Sequence, residues 1–324
     1  MSQNVFITRR VPQIGIKLLH DAGFNVTVYP SDLPIERKVW LEQLRTGNYQ
    51  ALLTTVSDQV NDELLDAAPD LKIVANFAVG YDNIDVPACT KRKVAVSNTP
   101  GVLSEATADQ AFALILAVAR RVVEGHTLVA SNEWLGWTPT QLLGQDLMNR
   151  TLGIIGMGRI GQEVAKRAKG FDMNIIYFNR SRDPEAEEKL GARYVDLPTL
   201  LKESDVVSVH CPSNKETYHL LGEKELQQMK PNAILVNTAR GPIIHEAALV
   251  KALKEKWLWG AGLDVFEFEP KVTDELKPMP NVTLAPHLGS ATEGTRNAMI
   301  TLAAEAIIAV LNGRTVSHLL NALS

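Results

Sequence analysis

The stretch Thr151-Leu-Gly-Ile-Ile-Gly156-Met-Gly158-Arg159-Ile160-Gly161 constrains the fold more than any other part of the chain. A short apolar run enters a GxGxxG turn, and the residues behind it, Gln162 to Lys169, carry a helical pattern. In a strand-turn-helix setting each glycine has a separate task. The first permits the tight turn, the second lets a pyrophosphate approach the backbone, and the third lets helix and strand pack closely. The helix N-terminus then offers unpaired N–H groups to the anion. A lone GxGxxG also describes a flexible loop, but in this context it predicts a dinucleotide-binding α/β domain with Gly156, Gly158, Arg159, Ile160 and Gly161 at the phosphates.

A second strand, Asn174 to Phe178, arrives at the distance where such domains supply an acid to the ribose 2'-hydroxyl. Here it ends in Asn179-Arg180-Ser181-Arg182 instead. An acid would repel a 2'-phosphate, whereas guanidinium groups bind it through charge-assisted hydrogen bonds. The reading is therefore NADP(H) preferred with NAD(H) possible, Arg180 and Arg182 as phosphate ligands, Ser181 supporting them and Asn179 beside them. The alternative is that both arginines solvate a loop ahead of the charged helix Pro184 to Leu190.

At 324 residues the chain exceeds what one core usually serves, so two domains are expected. The first hundred residues alternate β-branched runs (Val5 to Thr8, Asn25 to Tyr29, Ala51 to Thr54, Lys72 to Asn76, Val94 to Ser97) with helical patterns near Gln13 to Ala22 and Ile35 to Arg45. That is the rhythm of a parallel sheet. Ser104 N-caps an almost wholly apolar helix reaching Arg121, which suits a position between two layers or domains. A last helix, Ala291 to Leu311, could return to the first domain. The fold class that follows is α/β, with two doubly wound parallel-sheet domains, Rossmann-like and flavodoxin-like, and a cleft between them. Residues 1–100 with 287–324 form one domain and residues 101–286 the dinucleotide domain.

Three further features restrict partners. The net charge is -4 with no basic block, which argues against nucleic acid. Met-Ser-Gln-Asn-Val-Phe-Ile shows no secretory leader, and no run reaches the roughly 18 apolar residues of a membrane span. Cys89 and Cys211 stand far apart without metal-ligand spacing, which suits a reducing cytoplasm and no metal site.

Ligands in open α/β sheets sit at the carboxyl ends of strands, and three such ends carry chemistry. Ile234-Leu-Val-Asn-Thr-Ala-Arg240-Gly ends in an arginine whose planar fork can hold carboxylate and carbonyl oxygens together. Gly260-Ala-Gly-Leu-Asp264-Val-Phe-Glu267-Phe-Glu269-Pro supplies acids, and Asn281-Val-Thr-Leu-Ala-Pro-His287-Leu-Gly289-Ser a histidine. Reduction of a 2-oxo acid needs these parts: a carboxylate holder, a proton donor and a dry contact with a nicotinamide ring. A carboxylate beside a histidine favours the imidazolium and so a proton donor. A single histidine after a strand is often a hydrogen-bonded loop residue, and it is the company of arginine and glutamate that makes catalysis the favoured reading.

Taken together, Ala78-Val79-Gly80-Tyr-Asp-Asn-Ile-Asp, Gly156-Met-Gly158-Arg-Ile-Gly161, His210-Cys211-Pro212, Asn237-Thr238-Ala239-Arg240-Gly, Gly262-Leu-Asp264-Val-Phe and Pro286-His287-Leu-Gly289-Ser resemble the NAD(P)-dependent D-2-hydroxyacid dehydrogenases over essentially the whole chain. Within that family the glyoxylate/hydroxypyruvate and 2-ketogluconate reductase branch is the most similar. The resemblance implies that Arg240 binds substrate, that His287 is the acid/base and binds substrate, and that Glu269 rather than Glu267 is its carboxylate partner. Backbone at Val79 and Gly80 would receive the substrate carboxylate. Asp264 would bond the nicotinamide amide, while Thr107, His210, Cys211, Pro212, Thr217, Thr238, Ala239, Arg240, His287 and Gly289 would border the cofactor. His219 and His245 are read as structural or cofactor-loop residues. The D configuration and a homodimer also rest on the resemblance, with Trp134 or Trp137 as candidates to cross to a partner. Two rival readings stand beside it: a dinucleotide-sensing interaction protein on the same fold, and an NAD-linked dehydrogenase of phosphoglycerate type.

Overall fold

The computed structural model describes residues 3–322. The first two residues of the N-terminal segment read above, and Leu323 and Ser324 at the far end, lie outside the described residues. Two compact units divide the chain, one of Met1–Leu103 with Ser290–Ser324 and the other of Ser104–Gly289.

The first unit is built on five parallel strands, β1 (Asn4–Ile7), β2 (Asn25–Val28), β3 (Ala51–Thr54), β4 (Ile73–Asn76) and β5 (Ala95–Ser97), in the order β2-β1-β3-β4-β5. β3 and β4 are buried at every residue, which explains their unbroken runs: a central parallel strand is covered on both faces and has no solvent side to alternate with. The helix Glu293–Leu311 packs on β4 and against the helix Gln13–Asp21. By length and composition alone this helix is apolar enough to cross a membrane, a test that a core helix also meets. Here it buries Met299, Ile300, Ala303, Ala304, Ala306 and Ile307 in the core of the unit.

Seven parallel strands make the second unit: β6 (Thr151–Ile155), β7 (Asn174–Phe178), β8 (Arg193–Tyr194), β9 (Val206–Val209), β10 (Ile234–Asn237), β11 (Gly260–Leu263) and β12 (Val282–Leu284), ordered β12-β11-β10-β9-β6-β7-β8. The order reverses between β6 and β9, which places a topological switch point at the carboxyl ends of those two strands, where Ile155 pairs with Val209. The helix Ser104–Ala119 lies across β10, β11 and β12 and buries Thr107, Ala111, Phe112, Leu114, Ile115 and Val118. At Arg121 the backbone turns left-handed (φ 54) and a separate helix, Val122–Ala130, begins. Sequence analysis has no helix there: Val-Val-Glu-Gly-His-Thr is poor in helix formers, and none of its residues is buried in this chain.

Candidate active site

The glycine turn leaves β6 as its sequence requires. Gly156 has φ 101, which side chains rarely adopt, and a Cβ there would stand 2.5 Å from the Cys211 nitrogen. A Cβ on Gly161 would stand 2.2 Å from the Gly156 carbonyl oxygen, so helix Arg159–Lys169 packs directly on the turn. Gly158, the N-cap, faces open space, with nothing within 4 Å of an added Cβ. The residues therefore fit a dinucleotide: a pyrophosphate can lie against bare backbone at a helix N-terminus. Asn179 Oδ1 accepts the Met157 N–H at 2.8 Å and ties the end of β7 to the same turn.

Beyond β7 the two arginines differ. The Arg180 side chain is 83 % exposed and its Nη1 lies 3.5 Å from Glu216. Arg182 is held by Glu187 through two bonds, Nε at 3.0 Å and Nη2 at 2.5 Å. That pairing, with a bond from the Tyr177 hydroxyl, pulls the Glu187 carboxyl down to about 2. Glu187 is a partner that sequence reasoning missed; only its place five residues after Arg182 hints at it.

Across the switch point, His210 is half-buried, with Nε2 at 2.7 Å from the Ser208 hydroxyl and Nδ1 at 3.5 Å from Thr238 Oγ1. Burial pushes its pKa down to about 3, so the ring is neutral, and burial likewise raises the Cys211 thiol to about 11. The Thr217 hydroxyl donates to the Pro212 carbonyl at 2.7 Å and closes the loop after β9.

Arg240, Glu269 and His287 are distant in sequence, but β10, β11 and β12 are adjacent, with Asn237 opposite Leu263 and Leu263 opposite Leu284. Their carboxyl ends are thus level. Asn237 fixes the arginine loop, accepting the Ala239 N–H at 3.0 Å through Oδ1 and donating to the Arg240 carbonyl at 2.9 Å; Arg240 Nη1 donates to the Ala239 carbonyl at 2.8 Å. Glu269 accepts the Phe266 N–H through Oε1 and meets His287 Nδ1 through Oε2, both at 3.0 Å. Burial would lift the Glu269 carboxyl, but the hydrogen bond and charge of His287, the Phe266 amide and the charge of Arg240 outweigh it and hold the group below the usual carboxylate range. Glu267 is engaged elsewhere, 2.7 Å from His219 Nε2.

Asp264 organises the histidine turn. It is fully buried, and its carboxylate oxygens accept the N–H groups of Leu288 and Gly289, each at 2.7 Å, while its carbonyl accepts the His287 N–H at 2.8 Å. Burial raises the Asp264 carboxyl, against the pull of those two amides. His287 itself has φ 56. Thr107 packs beside Gly289, where an added Cβ would stand 3.3 Å from Thr107 Cγ2.

Val79 and Gly80 belong to the first unit, in the loop after β4. Three successive carbonyls are tied there: Ala78 by the Thr99 N–H at 2.9 Å, Val79 by Asn98 Nδ2 and Gly80 by Asn76 Nδ2, each at 2.8 Å. In a trans peptide the C=O and the following N–H point opposite ways, so the N–H groups of Val79, Gly80 and Tyr81 turn away from these anchors. Backbone N–H groups left over in a loop of this kind can serve an anion. The sequence reading gives Asn76 and Asn98 no role, although an asparagine closing the apolar run Ile73-Val-Ala is a usable signal.

Residues 112–289 match the family model of the D-isomer specific 2-hydroxyacid dehydrogenase NAD binding domain. A glyoxylate reductase of Thermococcus litoralis is 54% identical, with 99% of this chain and 97% of that protein aligned. The crystal structure of a glyoxylate reductase from Paecilomyes thermophila superposes with a TM-score of 0.88 at 36% identity, over 98% of each chain. An NADPH-dependent glyoxylate/hydroxypyruvate reductase from Sinorhizobium meliloti, solved with NADP and malonate, gives a TM-score of 0.86 at 31% identity over 99% of this chain and 97% of that one. Parallel sheets, a glycine turn at the switch point and an arginine-glutamate-histidine set on level strand ends are thus joined to full-length similarity, and the chain belongs to the D-isomer specific 2-hydroxyacid dehydrogenase family.

Proposed function

We propose that this chain reduces a small 2-oxo acid, glyoxylate, hydroxypyruvate or 2-ketogluconate, to the D-2-hydroxy acid with NADPH as the preferred donor, NADH remaining usable. The observation that carries the reading is the His287–Glu269 contact of 3.0 Å at the end of β12, in the unit that holds the glycine turn. When bound, the nicotinamide supplies the hydride. Arg240 orients the substrate's carboxylate and carbonyl oxygens. Glu269 takes Nδ1 of His287, which leaves Nε2 to give its proton to the oxygen on which negative charge develops. Glu269 orients and stabilises the ring without reacting. Asp264 serves the cofactor side by fixing the turn from His287 to Gly289, with Thr107 packed behind it.

For the cofactor, the glycine turn takes the pyrophosphate with Arg159 and Ile160 at the helix start. Asn179, Ser181, His210, Cys211, Pro212, Thr217, Thr238 and Ala239 border the nucleotide. Arg180 and Arg182 take the 2'-phosphate. The exposed Arg180 is freer to reorient than Arg182, which must share its guanidinium with Glu187. Initial rates with each dinucleotide against the three acids test the whole proposal. NADPH is expected to exceed NADH in kcat/KM by about 10-fold or more, the worth of one good charge-assisted contact, and Arg180→Gln should remove most of that margin. Equal specificity in the unaltered protein overturns the cofactor preference, and no turnover of any of the three acids overturns the substrate class.

The same reading includes a homodimer in the cytoplasm, where both cysteines, free in this chain, would stay reduced. Its support is the number of large apolar side chains left exposed on Val122–Ala130 and the stretch after it: Leu135 is 98% and Trp137 79% exposed, and Val122, Val129, Trp134 and Leu143 are exposed as well. Exposed apolar side chains gathered in one part of a chain favour an interaction site. Sedimentation equilibrium should give a dimer for the unaltered protein and a monomer for Leu135→Asp with Trp137→Ser; a monomeric unaltered protein ends this part of the reading.

A further inference from the structure

Close to the candidate catalytic set lies a second pair of carboxylates to which the mechanism above gives no task. Glu246 is 3% exposed, and its Oε1 accepts the Glu267 N–H at 2.7 Å while Oε2 accepts from the Thr273 hydroxyl. Glu267 reciprocates: its Oε2 accepts the Glu246 N–H at 2.9 Å, and its Oε1 meets His219 Nε2 at 2.7 Å. The backbone N–H of His219 donates to the Pro242 carbonyl at 2.8 Å, and the Leu221 N–H to Ile243 at 3.1 Å. One polar cluster therefore fastens three segments: the stretch after Arg240, the stretch that carries Glu269, and the loop containing His219.

The fastening is close. A Cβ on Gly241 would stand 1.8 Å from the Phe266 carbonyl carbon, so the backbone next to Arg240 lies directly on the Phe266–Glu267 peptide. That peptide is preceded by the Phe266 N–H, the donor that orients Glu269 Oε1. Movement of Glu267 would thus pass along two bonded residues to the carboxylate that holds His287. A buried N–H that loses its acceptor carries its full desolvation cost, so the segment would shift to find a new partner once the Glu246 carboxylate is gone.

We infer that Glu246, acting through its reciprocal bonds with Glu267, is a positioning residue that holds Glu269 on His287 at the spacing from Arg240 that the reaction requires. The inference rests on the reading that Glu269 and His287 carry the proton chemistry. It distinguishes two glutamates two residues apart, one facing the histidine of the site and one anchoring the segment.

The test compares Glu246→Ala, Glu246→Gln and Glu269→Gln by kcat against pH for glyoxylate, by Kd for NADPH, and by thermal unfolding to establish that each variant is folded. Glu246→Ala should lower kcat by about 10- to 100-fold, the scale of a misplacement of about 1 Å, while Kd for NADPH holds. It should also move the acid limb of the profile to higher pH. The charged groups acting on Glu269 are His287 and Arg240, and the His287 charge acts on Asp264 as well. They hold its carboxyl low, so a Glu269 that slips from them protonates at higher pH and the active form is lost sooner as pH falls. Glu246→Gln keeps an acceptor oxygen for the Glu267 N–H and should restore both kcat and the limb. An Ala variant with unchanged kcat, a loss of kcat with an unmoved limb, or a Gln variant as impaired as Ala overturns the inference. Should the Ala variant not fold, Thr273→Val, which removes only the hydroxyl on Glu246, must move the limb the same way, and an unmoved limb there is equally decisive. Glu269→Gln separates the two levels. If it alters kcat and the limb while Glu246→Ala does not, only the positioning role falls; if it alters neither, the reading of the Glu269–His287 pair falls and takes the inference with it.

Discussion

His287→Ala is expected to lower kcat for glyoxylate reduction by about 10²- to 10⁴-fold, the range that a positioned general acid contributes, with little change in Kd for NADPH. The asymmetry comes from what holds each part in place. The imidazole is bonded to Glu269, but the turn beneath it is held by backbone: the His287, Leu288 and Gly289 N–H groups all bond to Asp264. Removing the ring therefore takes the proton source and leaves the glycine turn, more than 100 residues earlier in sequence (about the scale of a whole domain), with its bonds intact. Steady-state rates and fluorescence titration with NADPH check both halves. A variant that turns over like the unaltered protein would take histidine out of the mechanism.

Arg240→Ala should cost about 10²- to 10³-fold in kcat/KM, comparable with loss of a preorganised donor at a developing oxyanion, and should raise KM for the acid as well as lower kcat. The guanidinium does two things at once. It is always charged, and its planar fork is already aimed, because Asn237 grips its carbonyl at 2.9 Å and its own Nη1 rests on the Ala239 carbonyl at 2.8 Å. Arg240→Lys retains the charge without the fork and should recover only part of the loss. Because Arg240 also helps to hold the Glu269 carboxyl low, the Ala variant should show its acid limb at slightly higher pH. Kinetics of both variants across pH decide this; a lysine enzyme equal to the unaltered one would reduce the role of Arg240 to charge alone.

The strands Ala51–Thr54 and Asn174–Phe178 and the helix Pro184–Leu190 stand where the sequence reading has them, since apolar runs between turn residues and an Asp-Pro helix start are local signals. The helix Val122–Ala130 was not legible, because none of its residues is buried in the chain and no periodic apolar face marks it. At the site, residue types could be read but not partners. Nothing local says that Glu267 turns to His219 while Glu269 turns to His287; that depends on β10, β11 and β12 lying side by side. Arg182 looked free in the sequence, and its bidentate bond to Glu187 appears only when the helix after it folds back. Likewise, the anchoring of Val79 and Gly80 needs Asn76 and Asn98, brought together by the pairing of β4 with β5.

His287 sits in the left-handed region at φ 56, a conformation that costs a residue with a side chain about 1–2 kcal/mol and that glycine or asparagine adopts more readily. Asp264 compels it by gripping the backbone on either side. For a descendant of this chain released from selection for turnover, exchange of that histidine for glycine would then relax the backbone rather than burden it. A chain that has lost turnover yet unfolds at no lower temperature is thus what glycine at position 287 should give.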